Sequence, residues 1–346
     1  MKTFCRLISI LLACFAQTLF AAEKNVVNVY MWSGVVPDAI IQQFEKETGI
    51  KVNFSTYDSN ELMYAKLKTS KNLGYDVVEP TSYFVDRMRK QDMLEKLDKS
   101  RLSNFKNINP AFLNGTYDPK NVYSIPFTYG TTGIFTNTNY ISPTAIKSWA
   151  DLWDKKYLDQ VLLLDDMREV FAVGLKTLGY SVNDNDPEHI KQAYLKLKEL
   201  QPNIKLFSSS ILSILIDEDV HLGMAWNGDL YKAKLENAQL HFTFPKEGFL
   251  IWIDSFAIPK NAPHQENAYK FLNFMLRADV ARDIALDNKF ATPNLAGQKL
   301  LPAEIRNNPI MYPSRAVLRR GEFQKDIESE TLTLYEKYWE RLKMGG

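Results

Sequence analysis

The chain has 346 residues, 45% of them hydrophobic, with 42 basic and 41 acidic side chains. This near-neutral balance gives no electrostatic basis for binding nucleic acid, and the composition is that of a folded protein. The length exceeds what one hydrophobic core usually supports, so two lobes are expected.

The first element in chain order reads as an export signal. Lys2 and Arg6 precede the apolar run 7–20, and Ala21-Ala22 offers small residues for cleavage, which makes residues 1–22 a signal peptide. About 14 apolar residues fall short of the roughly 20 that span a bilayer, so no stable membrane insertion of the mature chain is expected. Leu11-Leu12-Ala13-Cys14 loosely resembles a lipoprotein signal, although cleavage there would leave Phe15, Leu19 and Phe20 at the mature terminus. Cys5 and Cys14 both lie in this segment, so the mature chain has no thiol, no disulfide and no redox chemistry. Loss of Lys2 and Arg6 leaves 40 basic against 41 acidic residues, a formal charge of −1.

Beyond the signal, short apolar runs alternate with helical patterns. Residues 26–32 read as a buried strand ending on Trp32. In the helix that follows, Pro37 suits the first turn, Ile40, Ile41 and Phe44 form the apolar stripe, and Gly49 is the stop. The unit repeats as strand 51–57, helix 60–70, buried strand 76–78 ending at Pro80, and helix 82–91. This order implies a parallel sheet.

Between 100 and 123 the pattern dissolves into Asn, Asp, Pro and Gly, after which 124–127 and 130–136 read as strands bracketing a glycine break. This is a first crossing between lobes. Strand 161–164, helices 168–178 and 187–200, and strands 222–226 and 241–245 build a second sheet. The long strand 249–259 carries the chain back as a second crossing. Helices 266–276, 279–287 and 323–343 complete the chain, the last with Ile327, Leu334, Tyr338 and Leu342 at helical spacing. The expected architecture is α/β and two-lobed with two crossover segments. Residues 25–132 with 253–299 form lobe 1, and 133–252 with 300–346 form lobe 2. Such a clamshell closes on a ligand by hinge motion.

Much chemistry is missing. His189, His221, His241 and His264 are scattered, and there is no His-Glu-x-x-His helix, phosphate-cradling glycine loop, dinucleotide fingerprint or Gly-x-Ser-x-Gly elbow. Neither a metal nor a cofactor is expected. A metal-free carboxylate enzyme stays open, so carboxylates and aromatics carry the reading.

In open α/β sheets, ligands bind beyond the carboxyl ends of the strands. Those ends deliver Trp32-Ser33, Thr81-Ser82-Tyr83, Asp165-Asp166 and Trp226-Asn227. The second crossover adds Trp252 and Asp254, whose spacing of two puts an indole and a carboxylate on one strand face. An amine chain needs carboxylates for its ammonium groups and aromatic faces for its methylenes, and each cation–π contact adds about 0.5–2 kcal/mol. Several such contacts support micromolar binding, about −8 kcal/mol. Each residue also has a structural alternative. Asp166 and Glu169, before Val170 and Phe171, have the spacing of a helix capping box. Trp32 and Trp226 suit core positions at the ends of buried strands. Asp254, leading into the apolar run 256–258, needs a partner if buried, and a bound cation supplies one.

Motifs along nearly the whole mature chain carry a resemblance. They are Phe44-Glu45-Lys46-Glu47-Thr48-Gly49-Ile50-Lys51-Val52, Met63-Tyr64-Ala65-Lys66-Leu67-Lys68, Ser148-Trp149-Ala150-Asp151-Leu152-Trp153, Asp165-Asp166, Arg168-Glu169-Val170-Phe171, Trp226-Asn227-Gly228 and Thr292-Pro293-Asn294-Leu295-Ala296. Together they make the chain similar to the periplasmic spermidine/putrescine-binding proteins of bacterial polyamine ABC transporters, type II periplasmic solute-binding proteins. The resemblance implies a monomeric receptor, not an enzyme, that closes on a polyamine and hands it to the membrane permease of an ABC transporter. Spermidine is the first expectation, with putrescine and norspermidine as alternatives. Asp166, Glu169 and Asp254 match the acids that hold the amino groups. Trp32, Tyr83, Trp226 and Trp252 match the aromatic box, and Ser33, Thr81 and Gln324 match its polar positions. Val35 and Phe290 stand where the family pattern has tyrosines, which bears on ligand length. Two rival readings are a periplasmic subunit that signals its ligand state to a membrane-bound sensor, and a periplasmic hydrolase using Asp166 and Asp254 as an acid/base pair.

Overall fold

The computed structural model describes residues 25–69 and 74–345. The expected signal segment, with both cysteines, lies outside the described residues. Among these residues no helix is long and apolar enough to cross a membrane.

Strands β1 (Val26–Trp32), β2 (Lys51–Tyr57) and β3 (Val77–Val78) pair in parallel, in the order β2-β1-β3. The helices α1 (Asp38–Thr48), α2 (Asn60–Thr69) and α3 (Ser82–Lys90) alternate with them. The stop of α1 is physical: Gly49 has φ 69°, where a side chain is disfavoured, and its N–H closes on the Glu45 carbonyl. A second parallel set, β7-β5-β6, is built from β5 (Val161–Leu163), β6 (Ile204–Phe207) and β7 (Leu222–Trp226). Around it lie α4 (Met167–Thr177), α5 (Pro187–Leu200), α6 (Ile211–Ile216) and α7 (Asn227–Glu236).

Two long antiparallel strands, β4 (Ser124–Asn137) and β9 (Phe249–Ala257), join the sets into one sheet of order β2-β1-β3-β9-β4-β7-β5-β6. Both are buried at every position, so neither shows the alternation of a half-exposed strand. β8 (Leu240–Thr243) adds to β4, and β10 (Gly321–Phe323) adds to β9 in parallel. Helices α8 (Gln265–Met275), α9 (Ala278–Asn288) and α10 (Ser329–Lys343) follow β9. The apolar core is divided in the same way. One buried cluster draws on positions 134–242 together with Ile327, Tyr335 and Leu342. Two others draw on positions 27–129 and 253–291.

Two expectations are corrected. The pair of strands around a glycine break is a single strand, because Gly130 continues the ladder opposite Trp252. The irregularity falls earlier, between Pro126 and Thr128, where proline lacks an N–H for the ladder. The helix expected from 323 begins only at Ser329. Gly321 packs so tightly on β9 that a Cβ there would lie 2.6 Å from Ile251 Cδ1, Lys176 holds Glu322 at 2.7 Å, and Arg87 holds Asp326 at 2.9 Å. These anchors extend the segment that carries Gln324.

Candidate functional site

The carboxyl ends of the parallel strands and the middle of β9 meet in a cleft of about 490 Å³. It is lined by the twelve side chains that the resemblance pointed to: Trp32, Ser33, Val35, Thr81, Tyr83, Asp166, Glu169, Trp226, Trp252, Asp254, Phe290 and Gln324, whereas Ser82, Asp165 and Asn227 at the same strand ends are not among its lining. Strand geometry explains the convergence. β1 ends on Trp32, β7 ends on Trp226, and the turns after β3 and β5 deliver Thr81 and Asp166. Trp252 and Asp254 share one face of β9, and Gln324 follows β10, which pairs with β9 through Ile251. Ser33 is exposed at the rim, whereas Tyr83, Glu169, Asp254 and Gln324 are buried.

Burial strains the ionised form of the acids in this cleft. Asp254 Oδ1 accepts a hydrogen bond from the Thr81 hydroxyl at 2.5 Å, and the Asn60 amide donates to the same hydroxyl oxygen at 2.9 Å. Burial nevertheless pushes the Asp254 carboxyl up to about 7. Glu169 Oε1 accepts from the Trp226 indole N–H at 3.3 Å, while Oε2 is buried without a partner among the described residues. Burial, and then the charge of Asp166, push Glu169 up to about 8. Asp166 is also raised by burial, against the backbone N–H of Glu169 that it accepts at 2.9 Å. Asp166 therefore caps α4 and lines the cleft at once. The reciprocal half of a capping box is absent, because Glu169 turns to Trp226. Its neighbour Asp165 leaves the cleft and pairs with Lys343 at 2.6 Å.

The aromatic walls depend on two glycines. A Cβ on Gly130 would lie 2.2 Å from Trp252 Cζ2 and 2.6 Å from Asn227 Oδ1, and one on Gly228 would lie 2.1 Å from Phe290 Cδ1. The two rings they admit meet edge to face, with centroids 5.3 Å apart. Gly130→Ala is accordingly expected to displace the Trp252 indole and to destabilise the protein by about 1–3 kcal/mol. A shift in the urea midpoint at unchanged slope would show it.

Sequence reasoning missed Thr128, Ser209, Asp229, Lys232 and Asn288, which also line the cleft. Ser209 follows the end of β6, a strand left unread, so the strand-end rule would have found it. Asp229 lies two residues beyond Asn227 in the first turn of α7, one step past where that rule was applied. A second buried acid was also missed. Glu79 is fully buried, its carboxyl accepts from the Trp32 N–H at Oε2 at 3.4 Å, and Oε1 has no partner among the described residues. Burial and the neighbouring Asp254 push it well above the carboxylate range.

Along 335 residues, 96% of each chain, the sequence is 45% identical to a spermidine/putrescine-binding periplasmic protein of Salmonella typhimurium. A solved Listeria monocytogenes protein superposes with a TM-score of 0.90 at 34% identity, covering 92% of this chain and 99% of that one. A spermidine/putrescine ABC transporter substrate-binding protein of Streptococcus pneumoniae does so with a TM-score of 0.80 at 34% identity, over 93% and 99%. The fold is thus the type II clamshell of periplasmic binding proteins. The model of one family, bacterial extracellular solute-binding protein, matches residues 39–313, and the chain belongs to that family.

Proposed function

We propose that this chain is a periplasmic receptor that captures a polyamine and delivers it to the permease of an ABC transporter. The observation that carries the reading is the cleft itself, where Asp166, Glu169 and Asp254 share a buried space walled by indoles. A buried carboxylate needs a counter-charge, and an alkylammonium chain brings cations together with methylenes that suit aromatic faces. In this reading the three acids pair with the nitrogens of a triamine such as spermidine. Trp32, Tyr83, Trp226 and Trp252 pack on the methylenes, and Ser33, Thr81 and Gln324 complete the polar contacts. Val35 and Phe290 set ligand length, which keeps putrescine and norspermidine as candidates.

The receptor works as a monomer without a cofactor, exported through residues 1–22. Residues 25–132 with 253–299 act as one lobe and 133–252 with 300–346 as the other, turning about β4 and β9. It binds without catalysis. Protein purified from cells grown with polyamine, denatured and analysed by mass spectrometry, should release about one unaltered polyamine per chain. Recovery of no polyamine, or of a cleaved conjugate, would refute the receptor reading.

A further inference from the structure

The segment 321–327 runs as a strap between the two halves of the molecule. Its first three residues pair with β9, and the rest is held from the side that carries α4 and α5. Lys176 and Ser181 donate to the Glu322 carboxylate at 2.7 and 2.5 Å. The Asn183 side chain donates to the Phe323 carbonyl at 2.9 Å and accepts from the Lys325 N–H at 2.7 Å, and Arg168 donates to the Lys325 carbonyl at 3.4 Å. Ile327 is buried in the core cluster of positions 134–242.

From the other side the strap is gripped by α3. Arg87, 7% exposed, donates from Nε to Asp326 Oδ1 at 2.9 Å and from Nη2 to the Ile327 carbonyl at 3.2 Å. Lys90 lies 3.5 Å from Asp326 Oδ2 and is shared with Asp86 at 2.8 Å. α3 belongs to the opposite core, where Tyr83, Phe84, Val85 and Met88 pack with Tyr57 and Ile253. One turn before Arg87 on that helix, Tyr83 lines the cleft, and two residues before Asp326 on the strap, Gln324 lines it too. Helix and strap thus each carry one ligand-facing side chain and one half of an ion pair. Gln324 is buried with no partner for its Nε2 among the described residues, so the placing of the strap, not a hydrogen bond from that nitrogen, aims its amide.

We propose that Arg87 is a positioning residue for the ligand, acting through Asp326. By gripping Asp326 and the Ile327 carbonyl it draws the strap onto α3, sets Gln324 and Tyr83 about the polyamine, and keeps the two lobes shut while the amine is bound. This rests on the polyamine reading and its two lobes. The pair is largely screened from water, so removing one partner strands the other's charge. It forms only when α3 and the strap are together, after the ligand has entered, and it therefore acts on release more than on capture.

Stopped-flow tryptophan fluorescence with spermidine, on the full chain and its variants, tests it, since Trp32, Trp226 and Trp252 wall the cleft. Arg87→Met and Asp326→Asn should each speed dissociation by about tenfold and change association by less than about twofold. The double variant should dissociate no more than about twofold faster than the faster single one, because both changes remove the same contact. Arg87→Lys keeps the charge without the fork and should fall between the unaltered chain and Arg87→Met. Asp326→Asn keeps the side chain's shape and decides the matter if Arg87→Met does not fold. An unchanged dissociation rate in Asp326→Asn, a loss carried mainly by association, or effects that multiply in the double variant overturns the proposal. Spermidine binding by the unaltered chain alongside such a result leaves the receptor reading standing. Absence of spermidine binding to the unaltered chain removes the two together.

Discussion

Asp254→Asn lowers spermidine affinity by about 100-fold or more and, at about pH 8, raises the melting temperature of the ligand-free protein. Both effects follow from one carboxylate. Asp254 is 8% exposed, and burial lifts its carboxyl from the usual value to about 7, although the Thr81 hydroxyl opposes the shift. A raised folded-state value means that the group contributes stability fully below about pH 4, its unfolded range, and loses that contribution as pH rises through about 7. Above that, the empty cleft carries a buried charge that only a ligand ammonium neutralises. Asparagine keeps the shape and cannot ionise, so the empty protein regains stability at alkaline pH. The complex loses a charge-assisted contact of about 2–5 kcal/mol. Melting curves from about pH 5 to 9, with and without spermidine, check both halves. Ser33→Ala, at the exposed rim, should change affinity by less than about threefold.

Polyamine affinity falls as pH is lowered, by about 100-fold between roughly pH 8.5 and 5.5. The cleft acids titrate in this window because they are buried together, Asp254 at about 7 and Glu169 at about 8, with Asp166 also raised. An ammonium group favours the ionised carboxylate and pulls these values down, so binding below them expels protons. The logarithm of the association constant then rises with pH, by up to about one unit per pH unit for each acid that must ionise, and levels off above about 8. Glu79 is itself raised well above the ordinary range by its burial and by the charge of Asp254. Titrations in buffers of different ionisation enthalpy would count the released protons. A flat profile, or proton uptake on binding, would contradict this electrostatic account.

The sequence made the cleft legible where chemistry followed a strand. Trp32, Thr81, Asp166 and Trp226 stand at strand ends, and period-two geometry put Trp252 and Asp254 on one face. Val35, Phe290 and Gln324 had no such signal, because they reach the cleft through loops and strand pairings between distant segments; resemblance alone pointed to them. Helical spacing misled at 323–328, where tertiary anchors on Gly321, Glu322 and Asp326 outweigh local propensity. Glu79, between the strand read at 76–78 and Pro80, carried no signal of its own. Only the packing of Tyr57, Trp32 and Asp254 around it reveals a buried acid, with the Tyr57 hydroxyl donating to its backbone carbonyl.

The central claim is that the acids and indoles of this cleft bind an extended polycation, and calorimetric titration of ligand-free protein with spermidine at about pH 8 tests it most directly. The account predicts one site per chain, micromolar or tighter, about −8 kcal/mol. Absence of binding to spermidine, putrescine and norspermidine at millimolar concentration would contradict it.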